Sequence, residues 1–208
     1  MEDVETMENA ERGISRRSFI KGIIAAGTTA SSVAYLFRGT DVVLAQSSLP
    51  GAVERMVTLT VNGRKRRVDI MKQETLALTL RYKLGLTGTK LGCDRAECGN
   101  CTVLIDDVPR YACSVLTHSV RNSKITTIEG LASASGKLHP VQEAFVEELG
   151  PQCGFCTPGQ IMSTVGLLKI NSRPTRAEAA EALSGNLCRC GAYNHYLNAV
   201  MLAAQRGS

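Results

Sequence analysis

The chain has 208 residues, 44% of them hydrophobic and only 4% aromatic, with no tryptophan and a formal net charge of +5. That length fits one large or two small domains with an aliphatic, alanine-rich core. No basic run is interleaved with aromatics, which argues against nucleic-acid binding, and no apolar run is long enough for a stable membrane span.

Residues 1–14 are polar and mostly acidic. They lead into Ser15-Arg16-Arg17-Ser18-Phe19-Ile20-Lys21, a weakly apolar run from Gly22 to Ala34 and, further on, Val43-Leu44-Ala45-Gln46. Paired arginines before a Gly/Ala-rich run, with small residues at Val43 and Ala45 suited to cleavage, predict a twin-arginine export signal over 1–45 and a periplasmic location. Residues 46–54 read as a linker.

Val57, Leu59 and Val61 alternate with polar neighbours, Asn62-Gly63 marks a hairpin turn, and Arg64 to Ile70 returns as a second strand. Leu76, Leu80 and Leu84 give Glu74 to Leu84 a helical period that stops at Gly85. A glycine-punctuated loop follows over 88–101, then a strand from Thr102 to Ile105, a turn at Asp106-Asp107 and a β-rich segment from Ser123 to Glu129. Strand, hairpin, strand, helix, loop, strand is the order of a β-grasp ferredoxin domain, placed at 55–132.

From Leu138 the pattern turns helical. His139-Pro140 opens a helix to Leu149. Thr157-Pro158 reads as an N-cap and first-turn proline for a helix to about Ile170. Thr175-x-x-Glu178 is a capping box for a helix ending near Gly185, and Ala192 to Gln205 is the fourth. The boundary lies near Ala132–Gly136, so 133–208 is a helical domain and the fold class is α+β.

Eight cysteines fall into two sets of four, Cys93-x4-Cys98-x2-Cys101-x11-Cys113 and Cys153-x2-Cys156-x31-Cys188-x-Cys190. The opening C-x4-C-x2-C is the plant-type 2Fe-2S spacing, and such clusters take four thiolates each. Gly92 and Gly99 flank the first set and Gly154 and Gly191 the second, as a loop curling round a cluster requires. Structural zinc prefers two separated C-x2–4-C knuckles, which these spacings fit poorly; disulfides after export are the other alternative. Export in the folded state favours clusters, because they occupy every thiol before an oxidising compartment is reached. Two clusters in one short chain imply electron transfer. No catalytic residue is expected: His118, His139 and His195 are isolated, Gly85–Lys90 lacks phosphate-loop spacing, and no G-x-G-x-x-G follows a strand.

Gly92-Cys93-Asp94-Arg95-Ala96-Glu97-Cys98-Gly99-Asn100-Cys101-Thr102, Ile125-Thr126-Thr127-Ile128-Glu129-Gly130-Leu131, Gln152-Cys153-Gly154-Phe155-Cys156-Thr157-Pro158-Gly159 and Asn186-Leu187-Cys188-Arg189-Cys190-Gly191-Ala192-Tyr193 resemble the iron–sulfur subunits of the molybdenum hydroxylases over about residues 56–205. Through its export signal the chain is most similar to the exported small subunit of periplasmic aldehyde oxidoreductase. The resemblance implies a plant-type ferredoxin domain followed by a four-helix bundle, and a large molybdopterin-binding partner subunit. The bundle cluster would lie near the pterin, contacted by Gln152 and the Cys190 neighbourhood. The ferredoxin cluster would face an FAD-binding medium subunit or a cytochrome acceptor. Ala96 stands where the family often has glycine, so a positive φ there would carry a cost, and Asn100 stands where alanine or serine is more frequent. A free-standing periplasmic ferredoxin-like carrier is the alternative function, and a disulfide-rich secreted binding module a third.

Overall fold

In the computed structural model, which describes residues 17–22, 24 and 55–207, the alternation expected at the first strand holds. Strand β1 (Met56–Val61) buries Val57, Leu59 and Val61 and exposes Met56 and Thr58. Fully burying a leucine such as Leu59 contributes about 1.5–3 kcal/mol. Asn62 and Gly63 take φ of 51° and 72°, the backbone that a two-residue hairpin requires, and β2 (Arg64–Asp69) pairs antiparallel with β1.

The next helix is shorter than its leucine period predicts. Helix α1 covers Leu76–Leu78 and widens into a π turn over Thr79–Lys83. The Glu74 carboxylate lies before it, accepting from the Met71 N–H and the Thr79 hydroxyl and pairing with Lys83. Strand β3 (Thr102–Ile105) turns through Asp106 and Asp107, both at positive φ, into β4 (Val108–Tyr111). Strand β4 has no counterpart in the sequence expectation, because Val108-Pro109-Arg110-Tyr111 lacks an apolar alternation. Strand β5 (Lys124–Thr126) completes a five-stranded sheet of order β2-β1-β5-β3-β4, with β1 and β5 parallel at its centre.

Four helices follow: α2 (Pro140–Glu147), α3 (Thr157–Ile170), α4 (Arg176–Leu183) and α5 (Tyr193–Arg206). His139 and Thr175 both cap their helices through complete capping boxes, with Gln142 and Glu178 as reciprocal partners. The cap of α3 corrects the expectation. Cys156, not Thr157, is the N-cap residue, and the Thr157 hydroxyl contacts Tyr196 Oη at 3.3 Å. Helix α3 is buried on nearly every face, the mark of a central helix. One side packs on the sheet at β3 and β4, where a Cβ on Gly166 would collide with Pro109 of β4.

Two apolar cores result. One lies under the sheet around Leu59, Ile70, Leu80 and Val103; the other lies among the helices around Phe145, Met162 and Tyr196, and it includes Leu104 of β3. Both belong to one compact unit, Val53–Ser208. The expected boundary at Ala132–Gly136 falls in the loop between a 3-10 turn (Ile128–Gly130) and α2. Residues 17–22 and 24 are helical and belong to a separate unit, Met1–Ala52. The Val43–Ala45 cleavage position, and all but the end of the export signal's arginine pair, lie outside the described residues. Among the described residues no helix is long and apolar enough to cross a membrane.

Candidate metal centres

The β3–β4 hairpin assembles half of the first tetrad. Cys101 immediately precedes β3 and Cys113 is the second residue after β4, so antiparallel pairing of Thr102 with Tyr111 brings both to the same open end. The Ala112 N–H donates to the Cys101 carbonyl at 3.2 Å. Cys93 and Cys98 come from the preceding loop. That loop turns through Asp94 and Ala96 at φ 54° and 60°; Ala96 therefore takes the strained backbone that its departure from glycine made costly. The turn aims N–H groups at sulfur: Ala96 donates to Cys113 Sγ at 3.2 Å and Glu97 to Cys93 Sγ at 3.3 Å.

The second tetrad is built from helix N-termini. Cys156 caps α3 and Cys153 stands three residues before it. Cys188 and Cys190 lie in the connection from α4 to α5, whose N-cap is Ala192. The Ala192 N–H reaches Cys188 Sγ at 3.5 Å. Free N–H groups and the positive helix end both favour anionic sulfur there.

None of the eight cysteines is joined to another in a disulfide. Within each tetrad the thiols lie near enough to bias one another's ionisation, most directly Cys98 for Cys93, Cys113 for Cys101, Cys190 for Cys153 and Cys188 for Cys156. Among the described residues no three His, Cys, Asp or Glu side chains gather closely enough to hold a single metal ion. One zinc ion needs four ligands converging on it, whereas a two-iron cluster spreads its four thiolates two to each iron; pairs of pairs fit the cluster. In each tetrad one pair is deeper than the other. Cys101, Cys113, Cys156 and Cys188 are buried, while Cys153 and Cys190 are exposed and Cys93 and Cys98 half-buried. Burial pushes the Cys101 thiol up to about 12 and the Cys156 thiol up to about 11. For Cys93, burial is outweighed by the N–H groups of Arg95, Glu97 and Cys98, which hold it down at about 7. A bound cation deprotonates such thiols outright.

The two tetrads are joined directly. The Leu187 N–H donates to the Cys98 carbonyl at 2.9 Å. Buried Asn186 donates to the Gly99 carbonyl at 2.8 Å and to Thr102 Oγ1 at 3.2 Å, and accepts from Ser163 Oγ at 2.7 Å. Tyr111 Oη donates to the Gly185 carbonyl at 3.1 Å. Gly99, at φ +67°, has no room for a Cβ against Gly185. A cavity of about 310 Å³ lies where the loops meet, lined by Cys98, Cys153, Cys156 and Cys188 among others. A separate hollow of about 610 Å³ at Met56, Arg67 and Arg121 is lined by no cysteine.

Gln152 is exposed beside Cys153, with Cys190 exposed in the same tetrad, so both residues expected to meet a pterin are on the surface. The histidines stay apart from the tetrads' ligand pairs: His139 caps α2, and His195 Nδ1 contacts the Glu148 carbonyl at 3.0 Å. Sequence reasoning assigned no role to Asn186, Tyr111 or Tyr196, although each touches a cluster loop. The available signals were an asparagine two residues before Cys188 and a tyrosine on the apolar face of α5.

Residues 59–124 match the family model described as a 2Fe-2S iron-sulfur cluster binding domain, and residues 127–201 match a second, described as a 2Fe-2S binding domain. The chain is 40% identical over 212 residues to the aldehyde oxidoreductase iron-sulfur-binding subunit PaoA of Escherichia coli K12, covering 95% of this chain and 91% of that one. It is 46% identical over 145 residues to the nicotine 6-hydroxylase small subunit of Paenarthrobacter nicotinovorans, covering 70% and 87%. Among solved structures, quinoline 2-oxidoreductase from Pseudomonas putida 86 superposes with a TM-score of 0.69 at 38% identity, over 74% of this chain and 99% of that one.

Proposed function

From the membership of this chain in the iron–sulfur subunits of the molybdenum hydroxylases, we propose that Cys93, Cys98, Cys101 and Cys113 hold one of its two 2Fe-2S clusters, and Cys153, Cys156, Cys188 and Cys190 the other. The chain is an electron-transfer subunit of an oxidoreductase, with the substrate chemistry on a partner. When bound, each cluster supplies a one-electron relay. The protein's own part is to hold the thiolates, aim N–H groups at sulfur and fix the distance between the two sites. Cys153 and Cys190, exposed beside Gln152, form the face that meets a molybdopterin-binding large subunit. Cys93 and Cys98 form the exit towards a flavin or cytochrome acceptor. The residues before Ala45 direct export of the folded chain to the periplasm by the twin-arginine route.

One observation carries this reading: the Leu187-to-Cys98 hydrogen bond, which links the two tetrads through backbone. A free-standing carrier has no need of a second tetrad coupled in this way. The test is metal analysis with electron paramagnetic resonance of the reduced chain. Four irons and four acid-labile sulfides per chain, with two distinct rhombic signals of which one disappears in Cys153→Ala, are expected. A single signal that survives that substitution overturns the assignment.

A further inference from the structure

Tyr196 lies on α5, 1% exposed, with its ring stacked on Phe145 at a centroid distance of 5.4 Å and an interplanar angle of 24°. A Cβ on Gly150 would come within 3.0 Å of ring carbon Cδ1, so the ring fills space that the glycine leaves free. Held this way, the hydroxyl points at the bundle tetrad. Tyr196 Oη is 3.2 Å from Cys156 Sγ, 4.0 Å from Cys188 Sγ and 3.3 Å from Thr157 Oγ1. The other hydrogen bonds from non-cysteine residues to cysteine sulfur, among the described residues, come from backbone N–H groups. A core tyrosine needs some partner for its hydroxyl, but this one has taken a sulfur.

The donor is fixed by chemistry. Cys156 as a thiolate ligand has no proton to give, so the phenol donates to it, and the Thr157 hydroxyl donates in turn to the phenol oxygen. Hydrogen bonds at sulfur are among the levers that set a cluster's potential, and bonds to an anionic acceptor are about twice as strong as neutral ones.

We infer that the Tyr196 hydroxyl sets the reduction potential of the bundle cluster through its hydrogen bond to Cys156. This rests on the ligand assignment proposed above. An added electron places more negative charge on the sulfurs, and a donor fixed in place favours that state, so the bond raises the potential. One electron enters and no proton moves; the phenol keeps its hydrogen. Tyr196 is a positioning residue, acting on the cluster through Cys156.

The test is a redox titration of the full chain with both clusters loaded, each followed by its own paramagnetic signal. Tyr196→Phe keeps the ring and the stack. It should make the bundle cluster harder to reduce by about tenfold in the reduced-to-oxidised ratio, a fall of about 59 mV for a one-electron couple. The ferredoxin-domain cluster should not shift, and iron and sulfide content should be unchanged. An unmoved potential with both clusters present overturns the inference. A wild-type chain that lacks the bundle cluster overturns the ligand assignment, and the inference with it. If Tyr196→Phe fails to retain the cluster, 3-fluorotyrosine at position 196 decides: its more acidic hydroxyl should raise the bundle cluster's potential, and no shift overturns the proposal.

Discussion

The backbone N–H of Leu187 donates to the carbonyl of Cys98 at 2.9 Å, across 89 positions of sequence. Leu187 immediately precedes Cys188, so a single hydrogen bond separates the backbones of two candidate ligands. Leu187→Pro removes that donor and leaves the carbonyl short of a partner. Both clusters should still assemble, but the ferredoxin cluster should fill more slowly after the bundle cluster. Leu187→Ala keeps the N–H and should behave as wild type. Freeze-quenched paramagnetic resonance reads the order and the delay; equal rates in all three proteins would assign the transfer to another route.

Gly99 meets two demands at once, a φ of +67° and close contact with Gly185. Gly99→Ala carries about 1–3 kcal/mol of backbone strain and forces the two ligand loops apart. Asn186 then loses its bond to the Gly99 carbonyl, at a further cost of about 1–3 kcal/mol for an unpaired buried group. The expected result is a melting temperature lower by about 5–15 °C and reduced iron content in both domains, measured by differential scanning fluorimetry and metal analysis. Loss confined to one cluster would show that the loops tolerate separation.

The ferredoxin domain's spacing and hairpin were legible because local chemistry dictates them. Asn62-Gly63 demands a turn, and a β-strand's period of two places Val57, Leu59 and Val61 inside. Strand β4 was hidden because its register is imposed by β3, not by its own composition. The eight cysteines announced themselves by spacing. The groups that tie the tetrads together did not, since Asn186 meets Gly99 across 87 positions and no local pattern encodes a contact that long. The Thr157 cap failed for a related reason: a neighbouring helix supplied Tyr196, and tertiary contact overrode a local preference.

Glu74 is 3% exposed. Burial acts to raise its pKa, but hydrogen bonds from Lys83, Thr79 and the Met71 N–H outweigh burial and hold it below the ordinary 4.5. A carboxylate depressed in the folded state adds stability that is complete above its unfolded value and is lost as pH falls through the folded value. Glu74→Gln should therefore destabilise the chain at pH 7, by on the order of 1–3 kcal/mol, and the gap to wild type should narrow below about pH 4.5. Denaturation midpoints at pH 7, 5.5 and 4 measure it. A constant gap would mean that Glu74 acts by shape alone.

Gln152 tests the docking face. It is exposed and is no ligand, so Gln152→Ala should leave both clusters intact. In the complex with its large subunit, a pterin polar group left unpaired costs on the order of 1–3 kcal/mol. Substrate should then reduce the bundle cluster about tenfold more slowly, or molybdenum should be retained less well. Stopped-flow bleaching alongside molybdenum analysis reads both; full occupancy at unchanged rate would place the pterin elsewhere.

Replacing Arg16 and Arg17 together by lysine tests the export proposal. The pair is read by a receptor, not by the folded domains, so the variant should accumulate in the cytoplasm with four irons per chain. Cell fractionation with iron analysis gives the answer, and undiminished periplasmic protein would show that the pair is not the signal.

Strand β3 has a residue in each core: Val103 packs under the sheet and Leu104 among the helices. Neither domain can melt without stripping one face of a strand that the other needs. Calorimetry should accordingly record a single transition for 53–208. A single transition would leave the chain no long-lived half-built form, with one relay station standing and the other collapsed.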